Sequence, residues 1–267
     1  MQISIIGCGN MGLIYARAFL KYGLCSKEEL LLIEKLPERK KSIEALNLGI
    51  VGAINELKID DSEVILLAIK PQDFSQVIPY IKPVLTEKTL LVSIMAGISN
   101  MRLAQVFNHV HIVRAMPNAP VEYGLGITGF SAHPQISSEL LRKAETILST
   151  TGRIVYFDDE EKLNAVTAIS GSGPAYFYYF VQAMIEAGIE MGLSKQVATQ
   201  LVQQTMLGSF HLLNSSGKST DELIKTVASK GGTTEAALSH MNNSNVNKHI
   251  IEALLKAEHR AKELSEN

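Results

Sequence analysis

The N-terminal residues constrain the fold more than any other part of the chain. An apolar run, Ile3-Ser4-Ile5-Ile6, leads directly into a glycine-rich segment, Gly7-Cys8-Gly9-Asn10-Met11-Gly12. A G-x-G-x-x-G segment that follows a strand and opens a helix is typical of the first turn of a dinucleotide-binding domain. Its glycines permit a tight turn, close approach of the backbone to a pyrophosphate, and close packing of helix on strand. Because the free N–H groups of the helix start would face the phosphates, residues 7–12 are predicted to bind a dinucleotide.

Up to about residue 160, short apolar runs alternate with helical patterns. The sequence predicts strands at residues 64–68, 90–94 and 112–116, and crossover helices at residues 11–22, 37–46, 99–107 and 136–149. Near-continuous apolar runs are typical of strands that helices cover on both faces. We therefore predict an α/β domain over residues 1–160, with a doubly wound, Rossmann-like parallel sheet.

After the charged stretch 157–161 the strand signals stop. The sequence predicts helices over residues 162–169, 174–192, 194–214, 219–227, 233–242 and 245–265. Residues 176–185 are apolar nearly all round, so this helix is expected to be buried on every side. A domain of this size does not enclose such a helix alone. We predict an all-α domain over residues 161–267 that dimerises through its helices.

Composition excludes several classes of partner. The chain has 25 basic and 27 acidic residues and a net charge of −2, so nucleic acid is not an expected partner. Polar residues interrupt every long apolar stretch and the N-terminus lacks signal-peptide features, so we expect no membrane span and no export. Only two cysteines, Cys8 and Cys25, are present, which indicates a reducing compartment, the cytoplasm. Because neither the cysteines nor the histidines are clustered, we expect no metal site.

The end of the second strand bears on the choice of nicotinamide cofactor. Glu34 lies about 20 residues after Gly12, where an acidic side chain accepts hydrogen bonds from the adenosine ribose and repels a 2′-phosphate. This favours NADH. The neighbouring cations Lys35, Arg39 and Lys40 could neutralise a phosphate if Glu34 turned away, so NADPH stays open.

Two further segments follow the carboxyl ends of strands, the edge at which ligands bind in open α/β sheets. They are Ala68-Ile69-Lys70-Pro71 and Met95-Ala96-Gly97. We predict that both line the cofactor, although Lys70 is equally typical of a solvated loop lysine.

Three more segments narrow the choice of family when they are taken together with residues 7–12 and 68–71. They are Arg114-Ala115-Met116-Pro117-Asn118, Ser170-Gly171-Ser172-Gly173-Pro174-Ala175-Tyr176 and Ser229-Lys230-Gly231-Gly232-Thr233-Thr234. With these motifs in order from Ile3 to about Leu264, the chain resembles pyrroline-5-carboxylate reductase, which reduces a cyclic imine to L-proline with NADPH or NADH.

The resemblance implies roles for particular residues. The Ser229–Thr234 loop would hold the substrate carboxylate on backbone N–H groups, and the Thr234 hydroxyl would bond the ring nitrogen. The implied catalytic residues are Thr234 and Ser229, and the implied substrate-binding residues are Ser172, Gly173, Gly231, Gly232 and Thr233. Asn55 would contact the adenosine part of the cofactor and Asn118 would lie at the nicotinamide pocket. The family also implies a homodimer through the C-terminal helices, which can assemble into a decamer.

The sequence departs from the family pattern at two places. Lys230 stands where proline is usual, which alters loop stiffness and local charge. Glu34-Lys35-Leu36 replaces an Asn-Arg-Thr-like run.

Two other classes of protein remain open. The β-hydroxyacid dehydrogenases share this domain order, but they need a general acid–base lysine on the first long helix, and residues 173–177 offer none. A non-catalytic paralogue that keeps the cofactor fold as a redox-sensing or interaction protein is the third possibility.

Overall fold

The computed structural model describes residues 1–266 and divides the chain into two compact units. The first unit comprises Met1–Ser172 together with the residues from Ala257 onward, and the second comprises Gly173–Lys256. The division lies 12 residues beyond the predicted boundary at residue 160, and residues 257–266 belong to the first unit.

The first unit is built on an eight-stranded sheet with the order β3-β2-β1-β4-β5-β6-β7-β8. The strands are β1 (Ile3–Ile6), β2 (Leu30–Ile33), β3 (Ile50–Gly52), β4 (Val64–Leu67), β5 (Leu90–Ser93), β6 (Ile112–Met116), β7 (Gly126–Ala132) and β8 (Gly152–Tyr156). The predicted doubly wound sheet is confirmed, with one departure from parallel order. Strand β7 runs antiparallel to β6, because a short 3₁₀ turn rather than a crossover helix joins the two.

Helices cover both faces of this sheet. They are α1 (Asn10–Lys21), α2 (Pro37–Glu44), α3 (Phe74–Ile81), α4 (Asn100–Phe107), α5 (Ser138–Ser149) and α6 (Lys162–Val166). Strands β1, β2, β4 and β5 are buried at every position, as the continuous apolar runs predicted. Alternate residues of each strand enter different apolar clusters, with Ile5 and Leu66 in one and Ile6 and Leu67 in the other.

The segment predicted as a helix over residues 162–169 has two parts. Helix α6 ends at Val166, and Thr167–Gly171 form a π-helix in which the Ser172 N–H donates to the Thr167 carbonyl at 2.9 Å. This wider turn delivers the chain to Ser172 and Gly173.

The second unit is helical, as predicted. Its helices are α7 (Gly173–Glu190), α8 (Lys195–Ser215), α9 (Thr220–Val227), α10 (Thr233–Asn243) and α11 (Val246–Glu266), the last of which ends in the first unit. The aromatic side chains of α7 are not enclosed within the single chain, where Phe177, Tyr178 and Tyr179 are 61%, 64% and 71% exposed. The single chain therefore leaves this helix open, as expected of a helix whose cover comes from a second copy. Every helix within residues 1–266 is either too short or too polar to span a bilayer.

Candidate cofactor and substrate site

In the glycine-rich turn after β1, the fold itself requires glycine at positions 7 and 12 but not at position 9. Gly7 has φ of +98°, and a Cβ there would lie 2.7 Å from the Ala68 carbonyl oxygen. A Cβ on Gly12 would overlap the Gly7 carbonyl. Gly9, with φ of −69°, has no atom within 4 Å of a Cβ position. The protein itself therefore leaves the space beside Gly9 open.

The start of α1 carries unused hydrogen-bond donors. No side chain caps this helix start. The structure of residues 1–266 gives no acceptor to the N–H groups of Asn10, Met11 and Gly12, and the Leu13 N–H already bonds to Gly9. Free donors at a helix start, next to open space, form a site that fits a pyrophosphate.

A cavity of about 710 Å³ extends from this turn across the carboxyl edge of β1, β2 and β4. Eight of the predicted cofactor residues line it: Gly7, Gly9, Glu34, Lys35, Asn55, Ala68, Ile69 and Lys70. The other predicted cofactor residues are absent from its wall: Cys8, Asn10, Met11, Gly12, Pro71, Ala96, Gly97 and Asn118. Sequence reasoning missed several polar lining residues, namely Gln72, Asp73, Gln76 and Tyr80.

Glu34 is among the residues that line this cavity. The residue is 6% exposed, and its Oε1 accepts the Leu36 N–H at 3.1 Å. Its Oε2 lies 3.8 Å from Arg39 Nη1, while Arg39 Nη2 donates to the Cys8 carbonyl at 2.9 Å. The carboxylate is thus held beside the glycine-rich turn.

The two lysines near Glu34 already have acidic partners. Lys35 Nζ lies 2.6 Å from Asp73 Oδ1, and Lys40 Nζ lies 2.7 Å from Glu56 Oε2. A phosphate that used either lysine would have to draw it away from its carboxylate.

Cys8 contributes backbone rather than thiol chemistry. Its side chain is fully buried with Sγ 3.6 Å from the Ile33 carbonyl, and burial raises the pKa of the thiol to about 12. The thiol is therefore protonated and unreactive at neutral pH.

The loop after β5, which contains Ala96 and Gly97, is fixed from two sides. Gly97 has φ of +75° and faces the Leu264 backbone of α11. At the loop's far end the Asn100 N–H donates to Glu160 Oε1 at 2.8 Å, and that oxygen also accepts Arg114 Nη1 at 3.0 Å. Arg114 is 3% exposed, so this buried ion pair ties the loop to the start of α6.

Asn118 follows the carboxyl end of β6, and its side chain contacts the protein itself. Its Oδ1 accepts the Ile127 N–H at 3.0 Å, and its Nδ2 donates to Ser170 Oγ at 3.2 Å. The sequence motifs named both segments, but nothing in the sequence indicated that these two residues meet.

The Ser229–Thr234 loop leads into α10, which begins at Thr233, and turns at Gly231. Gly231 has φ of +75°, and the Gly232 N–H donates to the Ser229 carbonyl at 3.0 Å. Within residues 1–266 the N–H groups of Thr233, Thr234 and Glu235 have no acceptor.

A carboxylate of the chain itself already bonds to this loop. The Gly231 N–H donates to Glu235 Oε2 at 2.6 Å. Sequence reasoning missed Glu235, although a glutamate in the first turn of a helix is the signal for such a bond.

The histidines do not form a metal centre in the part of the chain that the structure describes. No group of three or more His, Cys, Asp or Glu residues in 1–266 is arranged to hold a metal ion. His109 and His111 do lie together, with ring centroids 5.5 Å apart, at the edge of the sheet opposite the cavity.

Comparison with known proteins extends these observations. Residues 160–264 match the family model described as pyrroline-5-carboxylate reductase dimerisation, and residues 2–97 match one described as NADP oxidoreductase, coenzyme F420-dependent. A pyrroline-5-carboxylate reductase of Haemophilus influenzae is 36% identical over 98% of this chain and 97% of its own length. The chain belongs to the pyrroline-5-carboxylate reductase family.

Solved structures of the family superpose on the whole chain. A pyrroline-5-carboxylate reductase from Coxiella burnetii matches with a TM-score of 0.88 at 29% identity, covering 99% of this chain and 98% of the other. The Plasmodium falciparum enzyme, solved with NADP bound, matches with a TM-score of 0.87 at 26% identity, covering 99% and 98%. The resemblance that the motifs predicted is thus confirmed.

Family membership explains the exposed aromatic residues of α7. The dimerisation model covers α6 to α11, so these helices form the family's dimerisation domain. A dimer interface that covers Phe177, Tyr178 and Tyr179 would remove a large apolar area from water.

Proposed function

We propose that this chain reduces 1-pyrroline-5-carboxylate to L-proline with a nicotinamide dinucleotide, the last step of proline biosynthesis. The observation that carries the proposal is the start of α10, where free N–H groups and the Thr234 hydroxyl offer donors to a carboxylate and a ring nitrogen. Membership of a family whose relatives match over the full length supports the same reaction.

The proposed substrate contacts follow from the donors of the loop. The free backbone N–H groups of Thr233 and Thr234 hold the carboxylate, together with that of Gly231 once it leaves Glu235, and the positive end of the α10 dipole adds to the attraction. Gly232, whose N–H is bonded to the Ser229 carbonyl, shapes the turn beside the substrate. The Ser229 hydroxyl is a further donor, and the Thr234 hydroxyl orients the ring nitrogen. Ser172 and Gly173 are proposed to contact the substrate as well.

The reaction needs little acid–base chemistry from the protein. A nicotinamide dinucleotide held in the cavity beside Gly9 and Glu34 would supply the hydride that the imine carbon accepts, and would leave in its oxidised form. Because the imine enters protonated, the product amine keeps that proton. The chain's residues therefore act by holding the substrate in a reactive orientation.

For the cofactor we propose a preference for NADH over NADPH. Glu34 is held in the cavity and can accept hydrogen bonds from the ribose hydroxyls, while Lys35 and Lys40 are paired with acids. The Plasmodium falciparum relative binds NADP, so the preference proposed here rests on Glu34 of this chain. The remaining predicted cofactor residues, including Asn55 and Gly97, are proposed as contacts on the same edge of the sheet.

Replacing Glu34 by glutamine tests the cofactor preference. Wild-type kcat/KM is expected to favour NADH, and Glu34→Gln is expected to reduce that advantage roughly 10-fold, because it removes a negative charge from beside the 2′ position. Steady-state rates with both cofactors measure the ratio. Glu38→Gln, the same change at an exposed position on α2, is the matched control and should leave the ratio unchanged. A wild-type preference for NADPH would contradict the proposal.

The same absorbance assay tests the reaction itself. Oxidation of NADH is followed with pyrroline-5-carboxylate, and a keto acid plus a sample without substrate serve as controls. Turnover with the imine alone supports the reductase, whereas turnover with the keto acid would indicate a hydroxyacid dehydrogenase. No turnover with any substrate would indicate a non-catalytic paralogue.

Glu235 gives a second test of the carboxylate site. Its carboxylate occupies the Gly231 N–H, so the substrate must displace it to use that donor. We expect Glu235→Gln to lower KM for the imine roughly 3- to 10-fold, because a neutral amide competes less well than a carboxylate. Glu222→Gln is the matched control, since Glu222 caps Ser219 at the start of α9 in a similar way. A higher KM in Glu235→Gln would mean that Glu235 supports the loop instead.

The assembly and location are proposed from the same features. We propose a homodimer that forms through the C-terminal helices and can assemble into a decamer. We also propose that the functional boundary between the domains lies near residue 160, where the dimerisation match begins. Light scattering on the purified protein measures the assembly mass. Buried, unpaired Cys8 and Cys25 support a reducing compartment, and the cytoplasm is the proposed location.

A further inference from the structure

The hydrogen bonds of Asn118 fix the direction in which a neighbouring hydroxyl points. Asn118 follows the carboxyl end of β6, and its amide bridges Ile127 at the start of β7 and Ser170 in the π-helix. A backbone N–H can only donate, so the Asn118 atom that faces Ile127 must be the oxygen. The atom that faces Ser170 is therefore the amide nitrogen, which can only donate.

This assignment determines where the hydroxyl proton of Ser170 goes. Since Asn118 Nδ2 donates to Ser170 Oγ, the Ser170 proton must be directed to another acceptor. The structure of residues 1–266 provides none. By contrast, the Thr167 hydroxyl in the same π-helix donates to the Leu163 carbonyl at 2.7 Å. Ser170 is thus an oriented donor, half-buried, without a protein acceptor.

The position of Ser170 places this donor at the ligand edge of the sheet. Asn118 follows the carboxyl end of β6, and Ser170 lies two positions before Ser172, a proposed substrate contact. Short π-helices of this kind often occur at functional sites. A half-buried hydroxyl without a protein acceptor is free to donate to a ligand or to water.

We propose that the Ser170 hydroxyl donates a hydrogen bond to an oxygen of a bound ligand, and that Asn118 is the positioning residue that directs it. The acceptor is a carboxamide or carboxylate oxygen, supplied either by the nicotinamide group or by the imine substrate. The inference rests on the proposed function, because it takes both ligands from that reaction.

Two variants test whether the Ser170 hydroxyl acts as a donor to a ligand or whether only its contact with Asn118 matters. Ser170→Ala removes the donor. Asn118→Asp keeps an oxygen for the Ile127 N–H and presents a second oxygen to Ser170, so the contact remains but its direction reverses and the Ser170 proton is consumed. Both variants are expected to lower kcat/KM roughly 10- to 100-fold. Thr167→Val, which removes a hydroxyl already bonded within the protein, is the matched control and should change kcat/KM less than about twofold.

The measurements identify the acceptor and keep the two proposals separate. Fluorescence titration gives Kd for NADH, and steady-state rates give KM for the imine. A rise in Kd assigns the bond to the nicotinamide, and a rise in the imine KM with unchanged Kd assigns it to the substrate. Wild-type activity in Ser170→Ala, or in Asn118→Asp alone, would overturn the inference. Failure of the wild-type protein to reduce the imine would overturn the proposed function, while the NADH titration of both variants would still test the donor.

Discussion

Replacing Thr234 by alanine is expected to lower kcat for the imine roughly 100-fold, while Kd for NADH changes less than about twofold. Thr234 is the second residue of α10, and its hydroxyl has no bond to the protein within residues 1–266. In the proposed reaction this hydroxyl orients the ring nitrogen, so its loss misdirects the carbon that accepts hydride. Steady-state rates at saturating NADH measure kcat, and a separate NADH titration measures Kd.

The control for this prediction keeps the hydroxyl and removes the methyl group. Thr234→Ser is expected to retain at least about a third of wild-type kcat, whereas Thr234→Val, which is close in shape to threonine, should behave like alanine. Wild-type turnover in Thr234→Ala would refute the assigned role, since the substitution leaves the backbone N–H groups of the loop and the Ser229 hydroxyl in place.

The parts of the fold that could be predicted are those with a strong local signal. Strands β4, β5 and β6 are near-continuous apolar runs, and both faces of each are buried. Strand β8 lies at the sheet edge with exposed residues such as Val155, so its pattern does not resemble a core strand. Helix α3 contains Pro79, which in a sequence reads as a helix breaker.

In the candidate site, too, some features could be predicted from the sequence and others could not. The glycine-rich turn could be predicted because its donors and its open space come from consecutive residues. The contact between Asn118 and Ser170 joins residues 52 positions apart, and the ion pair of Arg114 with Glu160 joins residues 46 apart. Only the folded topology brings such pairs together, so no local pattern could reveal them.

The open space beside Gly9 leads to the second large effect, a loss of cofactor binding without a loss of stability. Gly9 has ordinary backbone angles for any residue, and a Cβ there touches nothing in the protein. If a pyrophosphate fills that space, the added methyl group in Gly9→Ala collides with the ligand alone. We expect Kd for NADH to rise roughly 100-fold and Tm to change by less than about 2 °C.

Gly12→Ala provides the contrasting variant in the same turn. Its Cβ would overlap the Gly7 carbonyl, so α1 has to move away from β1 whether or not a ligand is present. We expect the free energy of unfolding to fall by roughly 2–4 kcal/mol and Tm to fall by about 5–15 °C. Thermal unfolding without cofactor, together with NADH titration, separates the two variants. If Gly9→Ala bound NADH as tightly as the wild type, the pyrophosphate would not lie on this turn, because no group within residues 1–266 requires glycine at position 9.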